Sequence, residues 1–215
     1  MYFESENLTK NLYNAALYRI RQNFTSYNKE ELSVNEKEVF TEIEKTVTVT
    51  KLEKPKAYLG YKFLEKLMRV TANPDFFAGL PMQTSQHIVK TACGDFSNWL
   101  KALKTFKENP SGFTGKPKMP NYKKNMFSLI KFTNQDCVLY NKYSKTYLKF
   151  PRTKITLLLP HIKDAVKLKE VQVKPYYDGF MVITIFESEN TASDNKDLVY
   201  SCGVDFGVNN LAAIV

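Results

Sequence analysis

The first half of the chain has the hydrophobic pattern of helices, because apolar residues recur there every three or four positions. The first stripe predicts a helix in LTKNLYNAALYRIRQNF, and a shorter one predicts a helix in YLGYKFLEKLMRV. Between them, residues 28–55 are acidic with scattered apolar positions, which indicates helix and loop, with 47–49 open to an extended conformation. The apolar positions of the first stripe are Leu8, Leu12, Ala16, Ile20 and Phe24.

The longest periodic stripe begins after Pro81 and predicts a single long helix. It ends at Asn109 and Pro110, because the residue before a proline is disfavoured in the helical conformation. Trp99 lies on the apolar seam, so we interpret its indole as a core side chain and not as a surface for base stacking. The seam consists of Ile88, Ala92, Phe96, Trp99, Leu103 and Phe106.

The pattern then changes to a basic loop, NPSGFTGKPKMPNYKKN. Its three prolines and two glycines exclude both a helix and a central strand. Phe113 and Tyr122 lie among its lysines, and rings interleaved with positive charge suit a surface that stacks bases and binds phosphates. The alternative is a linker whose two aromatic side chains dock on the protein itself. The lysines are Lys116, Lys118, Lys123 and Lys124.

From this loop to about residue 189 the pattern is that of short β-strands separated by turn residues. Five or six short antiparallel strands predict a small barrel or sandwich. Asp178–Gly179 indicates a hairpin between two of the later strands. The strand that follows, GFMVITIF, is apolar on both faces, so we expect it to be central and buried.

A polar linker leads to the final segment, LVYSCGVDFGVNNLAAIV. This pattern predicts a strand with Asp205 at its exposed end, followed by a second strand that returns as a hairpin. Gly203 and Gly207 leave room for a close neighbour. The DFG tripeptide of protein kinases is excluded by context, because no glycine-rich loop or catalytic-loop motif precedes it. The first phosphate loop of actin-like ATPases is a weaker alternative.

Positive charge is concentrated in one part of the chain. Residues 101–174 contain 17 Lys and Arg against 4 Asp and Glu, a net charge of +13, whereas the remaining residues are net acidic at −4. A local basic block is typical of a surface that binds a polyanion. The alternative is a solvated lysine-rich face.

Length and composition indicate a globular chain: 215 residues, of which 43% are hydrophobic, suffice for one large domain or two small ones. The longest apolar runs are too short to span a bilayer and no signal-peptide pattern precedes them, so we expect a cytoplasmic protein without a membrane partner. Neither a disulfide framework nor a zinc site is indicated, because the three cysteines and two histidines are far apart.

The ordered set of motifs resembles the transposon-encoded TnpB (OrfB) family, relatives of the type V CRISPR effectors. The most specific parts are SGFTGKPKMPNYKK and GVDFGVNNLA, and the resemblance covers nearly the whole chain. It implies an α+β fold with a helical recognition part at 1–110 and a small antiparallel β-barrel of the wedge type at 111–189, which includes the basic loop 111–125. Residues 190–215 would be a linker and the first strands of a truncated RNase H-like (RuvC) domain.

The resemblance also implies functional residues and partners. Asp205 matches the first RuvC aspartate, a ligand of catalytic Mg²⁺ in that family. The basic loop contributes Lys116, Lys118, Tyr122, Lys123 and Lys124 as nucleic-acid contacts. Gln83, Thr84 and Gln86 are weaker candidates for contacting DNA, with helix capping as the alternative. The implied partners are DNA, a guide-type RNA and a C-terminal nuclease part.

Two departures from the family limit the expected activity. The chain begins almost at the first helix, and it carries neither the later RuvC motifs nor zinc-binding cysteines, so it resembles a truncated form. Since two-metal cleavage needs several carboxylates, we expect nucleic-acid binding without cleavage. Two alternatives stay open, namely a non-catalytic DNA- or RNA-binding regulator derived from such a nuclease, and a non-functional fragment.

Overall fold

The fold comes from a computed structural model that describes residues 2–124, 129–159, 162, 167–187, 204–205 and 213–214. At 2–6, 204–205 and 213–214 this description covers the backbone. The chain is α+β, with helices in its first half and antiparallel strands in its second. The helices are α1 Tyr2–Ser26, α2 Val34–Thr50, α3 Tyr61–Val70, α4 Pro74–Phe77 and α5 Met82–Glu108.

The helices pack around one hydrophobic core, and the predicted stripes point into it. Leu12, Ala16 and Ile20 of α1 are fully buried, as are Ala92 and Phe96 of α5. Trp99 is half-buried and packs against this core with edge-to-face contacts to Phe96 and Phe24. The interpretation of Trp99 as a core residue is therefore confirmed.

Helix α2 corrects the open assignment of residues 47–49, which are helical rather than extended. Its N-terminus is fixed by a capping box, in which the Glu36 amide donates to the Ser33 hydroxyl and the Glu36 carboxylate accepts from the Ser33 amide. The helix buries Val39, Ile43 and Thr46, which are spaced by four and three residues. This packing stabilises the helix through residues 46–50, which are all β-branched.

The six longer strands form two three-stranded antiparallel sheets. The first has the order β1-β5-β6 and the second the order β2-β3-β4. Buried residues of both sheets, among them Phe132, Leu148 and Val171, share one core. The strands are β1 Ile130–Thr133, β2 Val138–Lys142, β3 Lys145–Lys149, β4 Thr156–Leu159, β5 Lys167–Tyr176 and β6 Gly179–Glu187.

Two sequence-based expectations about these sheets are wrong. The described strands do not close into a barrel, because no ladder joins one three-stranded sheet to the other. Strand β6 is also not central: β5 lies between β1 and β6, and Phe180 and Ile185 of β6 are 39% and 40% exposed. A strand that is apolar on both faces is thus placed at the edge among the described strands.

Two strand pairings that the sequence predicted are present among the described residues. The predicted hairpin between β5 and β6 is present, with Tyr176 opposite Gly179, so that Tyr177 and Asp178 form the turn. At the chain's end, β7 Val204–Asp205 pairs antiparallel with β8 Ala213–Ile214, as the sequence predicted for this segment.

Candidate nucleic-acid interface

The basic loop is bound along the surface of α1 and α5 by hydrogen bonds to its backbone. Trp99 Nε1 donates to the Pro117 carbonyl at 3.1 Å, and Arg21 donates to the Pro120 carbonyl at 3.2 Å. Asn14 holds both backbone groups of Lys123, accepting from its amide at 2.8 Å and donating to its carbonyl at 2.9 Å. A proline-rich segment with few internal hydrogen bonds therefore has a fixed path.

The two aromatic residues of the loop contact the protein itself. Phe113 packs edge-to-face on Phe106, with ring centroids 5.6 Å apart. The Arg21 guanidinium lies over the Tyr122 ring at 4.9 Å, and Tyr122 stays 39% exposed. The docked arrangement that the sequence left as an alternative is the one in the structure, and Phe113 is half-buried against Phe106.

The four loop lysines divide into two kinds. Lys116, Lys118 and Lys124 are exposed, and none of them forms an ion pair with a carboxylate in the described part of the chain. Lys123 is half-buried, with its ammonium 4.0 Å from the centroid of the Tyr13 ring. Burial lowers the pKa of Lys123, while the nearby Asp95 carboxylate opposes that shift. Three lysines are thus available to a polyanion, and the fourth anchors the loop.

The three polar candidates at the start of α5 have partners within the protein. Thr84 is 1% exposed, and its hydroxyl donates to the Lys131 carbonyl of β1 at 3.2 Å. Gln83 and Gln86 donate to side-chain oxygens of Gln135 and Glu65. Thr84 packs between α5 and β1 with almost no exposed surface, and the contacts of all three residues with DNA stay predictions. Capping is not the role of Thr84, since Pro81 precedes the helix without a side-chain cap.

A cleft of about 140 Å³ lies where α1, α5 and β1 meet. Lys123, Lys131 and His87 are among its lining residues, and the Lys131 ammonium lies 3.6 Å from the Glu170 carboxylate. Burial is the main cause that lowers the pKa of His87, and the Lys131 charge adds to it. The other lining residues are Thr9, Tyr13, Thr84, Ile88, Thr91 and Leu129.

Asp205 lies in strand β7 opposite Ala213 of β8. Its side chain lies outside the described residues. Across the described ranges, no group of three or more His, Cys, Asp or Glu side chains is placed to hold a metal ion. The family resemblance names Asp205 as the position of this sequence that matches a Mg²⁺ ligand.

A second basic surface was not singled out from the sequence. It lies on the outer face of sheet β2-β3-β4, where Tyr140 and Tyr147 stack with centroids 5.5 Å apart beside several lysines. The signal was present in the alternation of VLYNK and KTYLK. The sequence alone does not show which of these side chains are neighbours, whereas the strand register places Tyr140 opposite Tyr147.

No protein-family model matches this chain, and no curated protein matches it significantly. None of the helices in the described ranges is long and apolar enough to cross a membrane.

Proposed function

We propose that this chain is the nucleic-acid-binding N-terminal part of a TnpB-like, transposon-associated, RNA-guided DNA endonuclease. The observation that carries the proposal is the basic loop, which is bound to the helices through its backbone and so leaves three lysines facing solvent. The order of the motifs supports it, because helices, loop, strands and the GVDFG hairpin follow one another as in that family.

The location of the charge supports a polyanionic partner. The loop lies within residues 101–174, which carry 17 Lys and Arg against 4 Asp and Glu. A fixed backbone path lowers the entropy that the loop loses on binding, so its lysines contact phosphates at less cost than those of a free linker. In such proteins, base pairing with the guide reads most of the target sequence, and the protein reads shape and a short motif.

The proposed role of the chain is binding of DNA and a guide-type RNA. Asp205 is the position that matches the catalytic carboxylates of the family, and two-metal hydrolysis needs several such groups around two Mg²⁺ ions. Bound Mg²⁺ would activate water and stabilise the leaving oxygen, which is chemistry that one carboxylate does not organise alone.

Charge removal on the loop tests the proposal. The triple variant Lys116→Gln, Lys118→Gln and Lys124→Gln should lose at least about tenfold in affinity for duplex DNA and structured RNA at low salt, because three phosphate contacts are removed. The matched control neutralises three exposed lysines outside the basic block, Lys37, Lys45 and Lys66. Equal losses in the two variants would contradict the assignment of this surface.

A plasmid-cleavage assay with Mg²⁺ tests the separation of binding from catalysis. The full chain should show no cleavage above background while it binds the same DNA. Cleavage that disappears in Asp205→Ala would contradict the proposal that this chain binds without cutting.

A further inference from the structure

The sheet β2-β3-β4 has one face in the core and one face outside it. Leu139, Leu148 and Leu157 lie at adjacent register positions and belong to the core of the β-part. Because side chains alternate between the faces of a strand, their neighbours point outward. The outward set consists of Val138, Tyr140, Lys142, Lys145, Tyr147, Lys149, Thr156 and Leu158.

Two tyrosines occupy the middle of this outer face. Tyr140 and Tyr147 are directly opposite in the register, and their rings stack with centroids 5.5 Å apart and planes inclined by 16°. Neither belongs to the hydrophobic core, and neither phenol has a hydrogen-bond partner among the described residues. A stacked aromatic pair outside the core presents ring faces and edges to which a base can add.

Three lysines surround the tyrosine pair. Lys142 lies opposite Lys145, and Lys149 lies opposite Val138 at the other end of the ladder. Like charges that face each other across strands are destabilising on their own. None of the three is within ion-pair distance of a carboxylate in the described part of the chain, and the sequence contains no Asp or Glu between Asp136 and Asp164.

The hairpin tip adds a third aromatic ring. Tyr143 is 83% exposed, and the Lys142 ammonium lies 5.1 Å from its ring centroid. Tyr143 and Ser144 form the two-residue turn with φ values of 50° and 56°, a conformation that Asn or Gly adopts with less strain. An exposed tyrosine thus occupies a turn position whose backbone conformation favours asparagine or glycine.

These features select the chemistry of the partner. The face is open, since Val138 and Leu158 are 55% and 45% exposed. Rings that stack in the centre and ammonium groups at the margins match unpaired bases and the phosphates beside them. A duplex exposes its phosphates but keeps its bases stacked inside. It would therefore contact the lysines and make no stacking contact with the tyrosines.

We propose that the outer face of sheet β2-β3-β4 binds single-stranded nucleic acid, with bases stacking on Tyr140, Tyr147 and Tyr143 and phosphates on Lys142, Lys145 and Lys149. The surface shares its ligand class with the proposed function but is formed by residues separate from the basic loop. Substitutions on this sheet therefore test the inference independently of substitutions in the basic loop.

The test measures fluorescence anisotropy of labelled oligo(U) RNA and oligo(dT) DNA of about 20 nucleotides, with a duplex of the same length, against the full chain. The double variant Tyr140→Leu and Tyr147→Leu keeps apolar bulk on the strands. It should weaken single-strand binding about tenfold or more, with duplex binding unchanged within about twofold. The triple variant Lys142→Gln, Lys145→Gln and Lys149→Gln should weaken both ligands and reduce the salt slope for single strands by about 2.

Circular dichroism melting of each variant identifies any that fail to fold. The variant Tyr143→Asn should fold at least as well as the wild type, because asparagine adopts the positive φ of the turn with less strain. It should still lower single-strand affinity. Folded tyrosine variants that bind oligo(U) as tightly as the wild type would overturn the inference. So would a wild-type chain that binds duplex but no single strand, in which case the face serves another partner. Loss of duplex and structured-RNA binding in the loop variants is a separate result that bears on the proposed function.

Discussion

At the residue scale, neighbouring lysines of the basic loop have different roles. Lys123 lies over the Tyr13 ring and is half-buried, whereas Lys124 is exposed. A partly desolvated cation over an aromatic ring contributes about 0.5–2 kcal/mol. An exposed lysine contributes little to folding but is free to contact phosphate. Adjacent positions in the sequence thus separate stability from binding.

We expect Lys123→Gln to lower the melting temperature more than Lys124→Gln, and Lys124→Gln to lower nucleic-acid affinity more than Lys123→Gln. Thermal melting and anisotropy at low salt measure the two properties on the same samples. Equal effects of the two substitutions on both properties would show that Lys123 is not an anchor.

A second adjacent pair lies at the start of α5, where the helical part meets β1. The buried Thr84 hydroxyl donates to the Lys131 carbonyl. The hydroxyl of Ser85 is fully buried and has no hydrogen-bond partner among the described residues. An unpaired buried hydroxyl costs about 1–3 kcal/mol, and loss of a satisfied hydrogen bond costs about 1 kcal/mol.

Ser85→Ala should therefore leave the free energy of unfolding unchanged or raise it by up to about 1 kcal/mol. Thr84→Val should lower it by about 1 kcal/mol, because the Lys131 carbonyl loses its donor. Urea unfolding of both variants checks the opposite signs. A Ser85→Ala chain that is markedly less stable would indicate a hydrogen bond that the geometry lacks.

At the scale of elements, the capping box makes α2 sensitive to pH. Glu36 accepts hydrogen bonds from Lys29 and from the Ser33 amide, and these lower the pKa of its carboxyl from 4.5 to about 2. A carboxyl with a depressed pKa stabilises the fold when ionised. That stability is present above pH 4.5 and is lost as the pH falls towards 2.

Glu36→Gln should flatten the pH dependence of stability in this acid range. Ser33→Ala should cost about 1 kcal/mol at neutral pH, because the cap of α2 is lost. Thermal melts at a series of pH values measure both effects. An unchanged acid limb in Glu36→Gln would show that the carboxyl contributes no pH-dependent stability.

The elements also show what a sequence can reveal. The stripes of α1 and α5 were predictable, because a helix that buries one face records it at a fixed spacing. The position of β6 in its sheet was not predictable. An apolar strand pattern indicates burial, but it does not indicate which neighbouring element covers the strand. The two sheets could not be told from a barrel for the same reason, since pairing between distant strands leaves no local signature.

The site was only partly predictable. The loop and its lysines were visible in composition, whereas the docking of Phe113 and the half-burial of Lys123 depend on contacts with distant helices. The burial of Thr84 could not be predicted from its place near the helix start, because it depends on the contact with β1. The tyrosine pair of β2 and β3 required the register.

At the scale of the whole molecule, charge is unevenly distributed along the chain. The basic block spans the end of α5, the loop and most of the two sheets, and the rest of the chain is net acidic. Each phosphate contact releases condensed counterions, so binding through this block must weaken steeply with salt. Binding through apolar contacts would not weaken steeply with salt.

The affinity of the full chain for duplex DNA and for structured RNA, measured from low to moderate salt, tests this claim most directly. With three loop lysines on phosphates, the logarithm of the binding constant for duplex DNA should fall with the logarithm of salt concentration at a slope of about −3 or steeper. A slope near zero, or no binding at low salt, would contradict the assignment of the chain as a nucleic-acid-binding protein.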